Sequence, residues 1–315
     1  IFTNAAATAS GVTDFYNVTI NPGAGLTLES GSTMRIGGTI TNNGTWRAAG
    51  LSGVTVEYNG GSQTVLNPNG ATPGYDNLIL SGSGAKSMAT GTSVGGNLSI
   101  APTGTATASV AAGQNLSVGS LTLGGLGRID GTWGSTTSAA TNKNDTYFAA
   151  TTGILTVSTD TRATPNVTAW PTASGITYGQ ALSASTLTGG SASVAGSFAF
   201  TTPATIPPAG TYSASVTFTP TDLTSYKTIA DNVNVAVAKA NSSVTAWPTA
   251  STITYGQTLA NSTLSGGSAT PGGSFAFTTP STAPNAGTAS QSVTFTPTDT
   301  ANYNTATSTV SVTVN

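Results

Sequence analysis

The feature that most constrains this chain is a repeat. Trp170 and Trp247 stand 77 positions apart, and the same offset separates Tyr178 from Tyr255, Phe198 from Phe275, Phe218 from Phe295 and Tyr226 from Tyr303. The register runs without a gap from residues 167–237 onto 244–314, and roughly two-thirds of the aligned positions are identical. One folding unit is therefore written twice in tandem, with residues 238–243 as the junction.

Within a copy every signal is strand or turn. Val167-Thr168-Ala169-Trp170 alternates apolar with polar until Pro171 stops it. Ser197-Phe198-Ala199-Phe200-Thr201 puts both rings on one face, because strand side chains alternate with period two. Ser215-Val216-Thr217-Phe218-Thr219 and Val233-Asn234-Val235-Ala236-Val237 repeat the pattern, and Gly189-Gly190, Pro203 and Pro207-Pro208 punctuate it. No helical period appears. Short strands in a unit of this size predict a small antiparallel sandwich of the immunoglobulin type.

Phe218-Thr219-Pro220-Thr221-Asp222 with Tyr226 returns as Phe295-Thr296-Pro297-Thr298-Asp299 with Tyr303, and Tyr178-Gly179-Gln180 as Tyr255-Gly256-Gln257. On these residues, over about half of the chain, the repeats resemble the Ig-like modules of giant bacterial surface proteins and adhesins. Such modules act mostly as spacers or stalks, so the resemblance implies structure rather than activity. Asp222 is expected to cap the turn before Tyr226, whose hydroxyl would tie the corner between sheets.

Residues 1–160 read differently. Leu26-Thr27-Leu28, Met34-Arg35-Ile36, Val54-Thr55-Val56, Leu78-Ile79-Leu80, Leu98-Ser99-Ile100, Leu116-Ser117-Val118 and Leu121-Thr122-Leu123 are short apolar alternations cornered by Gly, Asn or Ser. That spacing predicts a β-solenoid, each coil giving short strands and tight turns, with a sandwich as the competing reading. Tyr16-Asn17-Val18-Thr19-Ile20 echoes Tyr75-Asp76-Asn77-Leu78-Ile79, and Gly44-Thr45-Trp46 echoes Gly131-Thr132-Trp133. The stretch resembles the parallel β-helix segments of haemagglutinin-like exported proteins. The expected architecture is all-β: a solenoid-like region over 1–160, then Ig-like sandwich repeats over 161–240 and 241–315, elongated overall.

Composition narrows the chemistry. Charged residues are 6% of the chain, against about 25% in an ordinary soluble domain, and the net charge is −2. Hydroxyls supply the missing polarity, with about three residues in ten Ser or Thr. With no His and no Cys, imidazole catalysis, thiol chemistry, disulfides and ordinary zinc sites are all excluded. The balance offers no basic stripe for nucleic acid, and no window approaches the ~18 apolar residues that membrane insertion by a helix requires. Starting at Ile1 without Met, the chain reads as processed or excised.

Candidate chemical sites are few. Glu29, Glu57, Asp14 and Asp76 read as separate solvated charges, not as a glycosidase pair. Calcium loops are absent, and the second repeat, with Asp299 as its one charged residue, has no means to form a Lys–Asn crosslink. Thr103-Gly104-Thr105-Ala106-Thr107 could line an ice-binding face, but a chain so rich in Thr yields such runs by chance. The same holds for the Asn-x-Ser/Thr triplets at Asn17, Asn43, Asn97, Asn115, Asn144, Asn166, Asn241 and Asn261. Trp46, Trp133, Trp170 and Trp247 suit packing better than sugar stacking. No catalytic residue, cofactor or metal is expected.

The ends carry the functional expectation. Ile1-Phe2 opens the chain with two large apolar groups, and Val310, Val312 and Val314 alternate at its close. An uncovered solenoid coil or sheet edge invites a strand from another chain. Residues 1–10 are thus expected to act as a strand-donating arm, with Ile1, Phe2, Val310, Val312 and Val314 in the contacts. Trp170, Tyr178, Phe218, Asp222, Tyr226, Trp247, Tyr255, Phe295, Asp299 and Tyr303 are expected to be structural. The chain reads as a non-catalytic extracellular subunit of a bacterial surface fibre, sheath or array, polymerising head to tail with itself. The alternatives are a stalk segment of a large adhesin, cell-surface glycans being a possible partner, or a carbohydrate- or ice-binding module.

Overall fold

The computed structural model describes residues 1–4, 6–48, 52–69 and 74–315. These residues are strand and turn throughout, apart from short 3-10 turns at Leu182–Ala184 and Leu259–Asn261. The chain divides into one unit of Ile1–Pro165 with Pro220–Thr228 and another of Asn166–Thr219 with Ile229–Asn315. Both repeats lie mostly in the second of these units, while the Asp222 loop of the first repeat belongs to the other.

The first unit is a β-solenoid of about five turns. Its long face stacks Val12–Phe15, Thr33–Ile36, Thr55–Tyr58, Asn77–Gly82, Val94–Gly104, Asn115–Leu123 and Ile154–Val157, all in parallel register. The register aligns Met34, Val56, Leu78, Leu98 and Leu121 in one inward column and Ile36, Tyr58, Leu80, Ile100 and Leu123 in another. All ten are fully buried. Slipping any strand by one residue would turn its pair of apolar side chains outward, so the period-two pattern fixes the stack. A second face stacks Ala7–Ala9, Gly25–Leu28 and Thr45–Arg47. The third pairs Val18–Ile20 with Ile40–Asn42, and separately Gln63–Val65 with Ala85–Met88 and Thr107–Val110.

Corners between faces are set by close backbone approach. A Cβ on Gly60 would lie 1.9 Å from the Gly37 carbonyl oxygen, and one on Gly104 would lie 2.0 Å from that of Gly82. Asn side chains complete the turns. Asn17 accepts a hydrogen bond from the Thr39 amide at 2.8 Å, and Asn77 one from the Asn97 amide at 2.9 Å. Asn97 in turn accepts from the hydroxyls of Ser120 and Thr122. Asn17, Asn97 and Asn115, each the first residue of an Asn-x-Ser/Thr triplet, are thus rungs between coils, Asn115 accepting from Thr156.

The coils end differently. Downstream, Gly131–Gly134 turns back antiparallel on Ile154–Val157, and Trp133 is buried with its indole N–H donating to the Ile129 carbonyl. A strand reversal therefore covers this end of the stack. Upstream, the first coil bonds on one side only: Ala7–Ala9 to Gly25–Leu28, Val12–Phe15 to Thr33–Ile36, and Phe2 to Ile20. Its other edge carries no strand among the described residues.

In the second unit, the first repeat joins Ile176–Thr177, Ile229–Ala238, Gly210–Pro220 and Gly196–Phe200 in one sheet. The second repeat joins Gly273–Phe277, Gly287–Pro297 and Ala306–Val314, with Ile253 bridging to Val314. Two short antiparallel ladders flank each sheet. Leu182, Val216, Val235 and Val237 form the first core, and Leu259, Val293, Val312 and Val314 repeat it.

Candidate assembly surfaces

The upstream coil edge is built by residues 1–10, of which Ala5 lies outside the described residues. The Phe2 amide donates to the Thr19 carbonyl at 2.8 Å, and its ring sits edge-on to Phe15 at 5.8 Å, partly buried against the solenoid core. Ile1 is 87% exposed, and Val12 and Tyr16 are exposed as well. Phe2 and Ala7–Ala9 thus belong to the first coil of their own molecule. A detached arm would have to give up the Phe2 packing and the Ala7–Ala9 ladder. The surface this stretch offers is its unpaired outer backbone edge.

At the other terminus, Val310, Val312 and Val314 face inward, at 8%, 1% and 3% exposure, from a strand paired along its length with Gly287–Pro297. Their side chains are spent on the core of the second repeat, so no valine face is free for a partner. This corrects the expectation that the alternating end contributes apolar contacts.

The conserved-offset positions fall into two groups. Trp170 packs edge-on to Phe198 and Trp247 to Phe275, both at 5.5 Å, and Phe218 and Phe295 are buried beside those rings. Trp46 and Trp133 are buried, and Trp170 and Trp247 are partly buried against the cores of their repeats.

The second group forms the Asp-loops. Asp222 accepts from the amides of Thr224 and Ser225 and from both hydroxyls, and its carbonyl accepts from the Tyr226 amide at 3.1 Å. Burial pushes the Asp222 carboxyl up, yet the hydrogen bonds from Ser225 and Thr224 and the charge of Arg128 hold it below the usual carboxylate range. Asp299 does the same work with fewer donors, accepting from the amide and side chain of Asn302 while its carbonyl accepts from the Tyr303 amide. The capping role is as expected. The tyrosines act otherwise than through a hydroxyl tie: Tyr226 bridges to Ala163 by its backbone, and Tyr303 pairs with Ala240 in the same way.

Each loop is gripped from outside its own turn. In the first unit Arg128, nearly buried, donates to the Ser225 hydroxyl and to the Leu123 carbonyl, with Asp222 3.7 Å away. In the second unit Asn302 accepts from the Ala209 amide at 2.8 Å, and the Tyr303 ring meets that of Tyr178 at 5.3 Å. Sequence reading missed Arg128 altogether; nothing in its spacing distinguishes it from a surface arginine.

Two further features lie on the solenoid. The parallel register stacks Asp14, Arg35 and Glu57 on successive coils, Arg35 donating to Glu57 at 3.0 Å and standing 3.6 Å from Asp14, while Ser81 donates to Glu57. Charges that read as unconnected are therefore one neutralising ladder. A hydroxyl-lined groove of about 520 Å³ opens where the Ile40–Asn42 and Gln63–Val65 strands are not bonded to each other, lined by Thr39, Thr41, Ser62, Thr64 and Ser87 with Ile40 and Leu66. Among the described residues no group of three acidic side chains is placed to hold a metal.

No family model matches the chain, and no curated protein matches it. Among solved structures, the crystal structure of Drosophila N-cadherin EC1-4 is similar at 12% identity and a TM-score of 0.16, over 52% of this chain and 53% of that one. That of Drosophila N-cadherin EC1-3 follows at 11% identity and a TM-score of 0.17, over 52% of this chain and 71% of that one. The chain thus spans about half the length of the first of these structures.

Proposed function

We propose that the chain is a non-catalytic structural protein of the bacterial cell surface, a subunit that joins its neighbours end to end by β-strand addition at the first solenoid coil. The observation that carries this reading is the outer edge of that coil, which pairs with no strand among the described residues, together with the exposure of Ile1, Val12 and Tyr16. Open backbone edges are costly to leave as templates, and natural folds usually blunt them with charge, proline or a cover. Here the edge strands Ala7–Ala9 and Val12–Phe15 carry Asp14 alone as a blunting charge, and Arg35 partly neutralises it. A contact between unlike ends extends into a filament when it does not close into a ring. Charge poverty supports the same reading, since hydroxyl-rich surfaces approach without mutual repulsion.

Electron microscopy of the purified chain and of a variant carrying Thr8→Lys and Val12→Lys, which place charge on exposed positions of the edge strands, tests it. Periodic filaments from the first and dispersed monomers from the second are expected; filaments unchanged by the two lysines contradict the mechanism.

A second reading, a stalk segment of a large adhesin with binding elsewhere, is favoured by the Asp-loops. Each is held by residues preceding its repeat, an arrangement suited to modules threaded in series. The repeats would then be Ig-like spacers, and surface glycans would be the business of other segments.

A further inference from the structure

We infer that the exposed end of the second repeat, around Tyr255 and Ala286, is a docking surface for the Asp-loop of a further repeat of the same kind. The argument is one of internal equivalence. In the first repeat, Tyr178 and Ala209 hold the loop of the second repeat: the rings of Tyr178 and Tyr303 meet edge-on, and the Ala209 amide donates to the Asn302 side chain. Seventy-seven residues on, the same face is written again, with Tyr255-Gly256-Gln257 for Tyr178-Gly179-Gln180 and Pro284, Ala286 and Gly287 for Pro207, Ala209 and Gly210.

The second face is also built the same way. The Tyr178 amide donates to the Ala238 carbonyl at 2.8 Å, and the Tyr255 amide donates to the Asn315 carbonyl at 2.7 Å. The Gln180 side chain accepts from the Thr177 amide, and the Gln257 side chain accepts from the Thr254 amide. What differs is cover. Tyr178 is half-buried and Pro207 buried, whereas Tyr255 is 68% exposed and Ala286 is open. A large aromatic ring on a preformed turn, beside an amide that its counterpart uses for docking, is a socket whose occupant is known from the first repeat.

That occupant is a capped loop of the Asp299–Tyr303 type. A second copy of this chain does not supply it, because Arg128 already holds one of its Asp-loops and Tyr178 with Ala209 holds the other. A further module carrying its own loop does. The inference goes beyond the filament reading and does not depend on it: filaments could fail to form while this surface still takes a repeat.

The test appends a copy of residues 238–315 directly after Val314, which preserves the spacing of the first junction. Tyrosine nitration, mapped by mass spectrometry, is compared in the native chain, the extended chain, and an extended chain whose added loop has alanine for its copies of Asn302 and Tyr303. In the native chain Tyr255 is expected to react and Tyr178 to be protected. Extension is expected to bring Tyr255 down to the rate of Tyr178, and the alanine loop to restore its reactivity. Unchanged nitration of Tyr255 beside an appended repeat that is protected in hydrogen exchange overturns the proposal. So does an appended repeat that gains no protection, since the same residues fold against the same face in the native chain.

Discussion

At the scale of single residues, the solenoid depends on a few side chains whose environment their identity conceals. Lys86 is fully buried, and its ammonium donates to the carbonyls of Gly60 and Gly61 and to the Gln63 side chain. Burial pushes its pKa down to about 8. Between pH 8 and the unfolded value near ~10.4 the unfolded chain therefore binds more protons, so stability should rise with pH across that window. Burial raises Tyr58 to about 12, so above about pH 10 the unfolded chain loses phenolic protons first and stability should fall. Urea melts against pH check both limbs, and Lys86→Met should abolish the rise and cost about 1–3 kcal/mol at neutral pH by leaving the Gly61 carbonyl without its donor, while the Gly60 carbonyl and the Gln63 side chain keep the Ser83 and Gly60 amides. Gly60→Ala should cost about 1–3 kcal/mol, because its Cβ would enter the Gly37 carbonyl of the neighbouring coil; thermal unfolding measures it. The Asp222 carboxyl titrates below its unfolded value, so its contribution is whole above about pH 4 and is lost as pH falls further, a slope of the same sign as that of Lys86. Much of this was legible in principle. Ala85-Lys86-Ser87-Met88 puts Lys86 in phase with an inward Met, a signal that its charge masks.

At the scale of elements, strands were readable and their partners were not. Every apolar triplet singled out in residues 1–160 lies at a strand, because a pattern of period two is a local property. Which strand stacks on which is non-local, so Asp14, Arg35 and Glu57 gave no sign of their ladder until the coils were registered. The terminal stretches misled for a related reason. Exposed-looking Ile1-Phe2 and the valine alternation at the close both signal strands, but only the fold tells that Phe2 and the valines already have neighbours. The Asp-loop was legible as a cap from Asp222 and Asp299, whereas its holders Arg128 and Ala209 were invisible. Arg128→Ala removes charged donors from Ser225 and the Leu123 carbonyl and is expected to destabilise the first unit by about 1.5–3 kcal/mol. Earlier loss of hydrogen-exchange protection around residues 220–228 than in the rest of that unit would check it.

At the scale of the whole molecule, three properties go together: few charges, a downstream coil covered by a strand reversal, and a first coil whose outer edge pairs with no strand among the described residues. If strand addition at the first coil is what the chain is built for, its edge amides change partner on assembly while the interior columns do not. Hydrogen exchange on Ala7–Ala9 and Val12–Phe15, compared between dispersed chain and assembled material, measures that change most directly. The account predicts fast exchange at this edge in the monomer and strong protection in the assembly, with the strands of the Leu78 and Leu80 columns slow in both. Assemblies whose edge amides exchange as quickly as those of the monomer would contradict it.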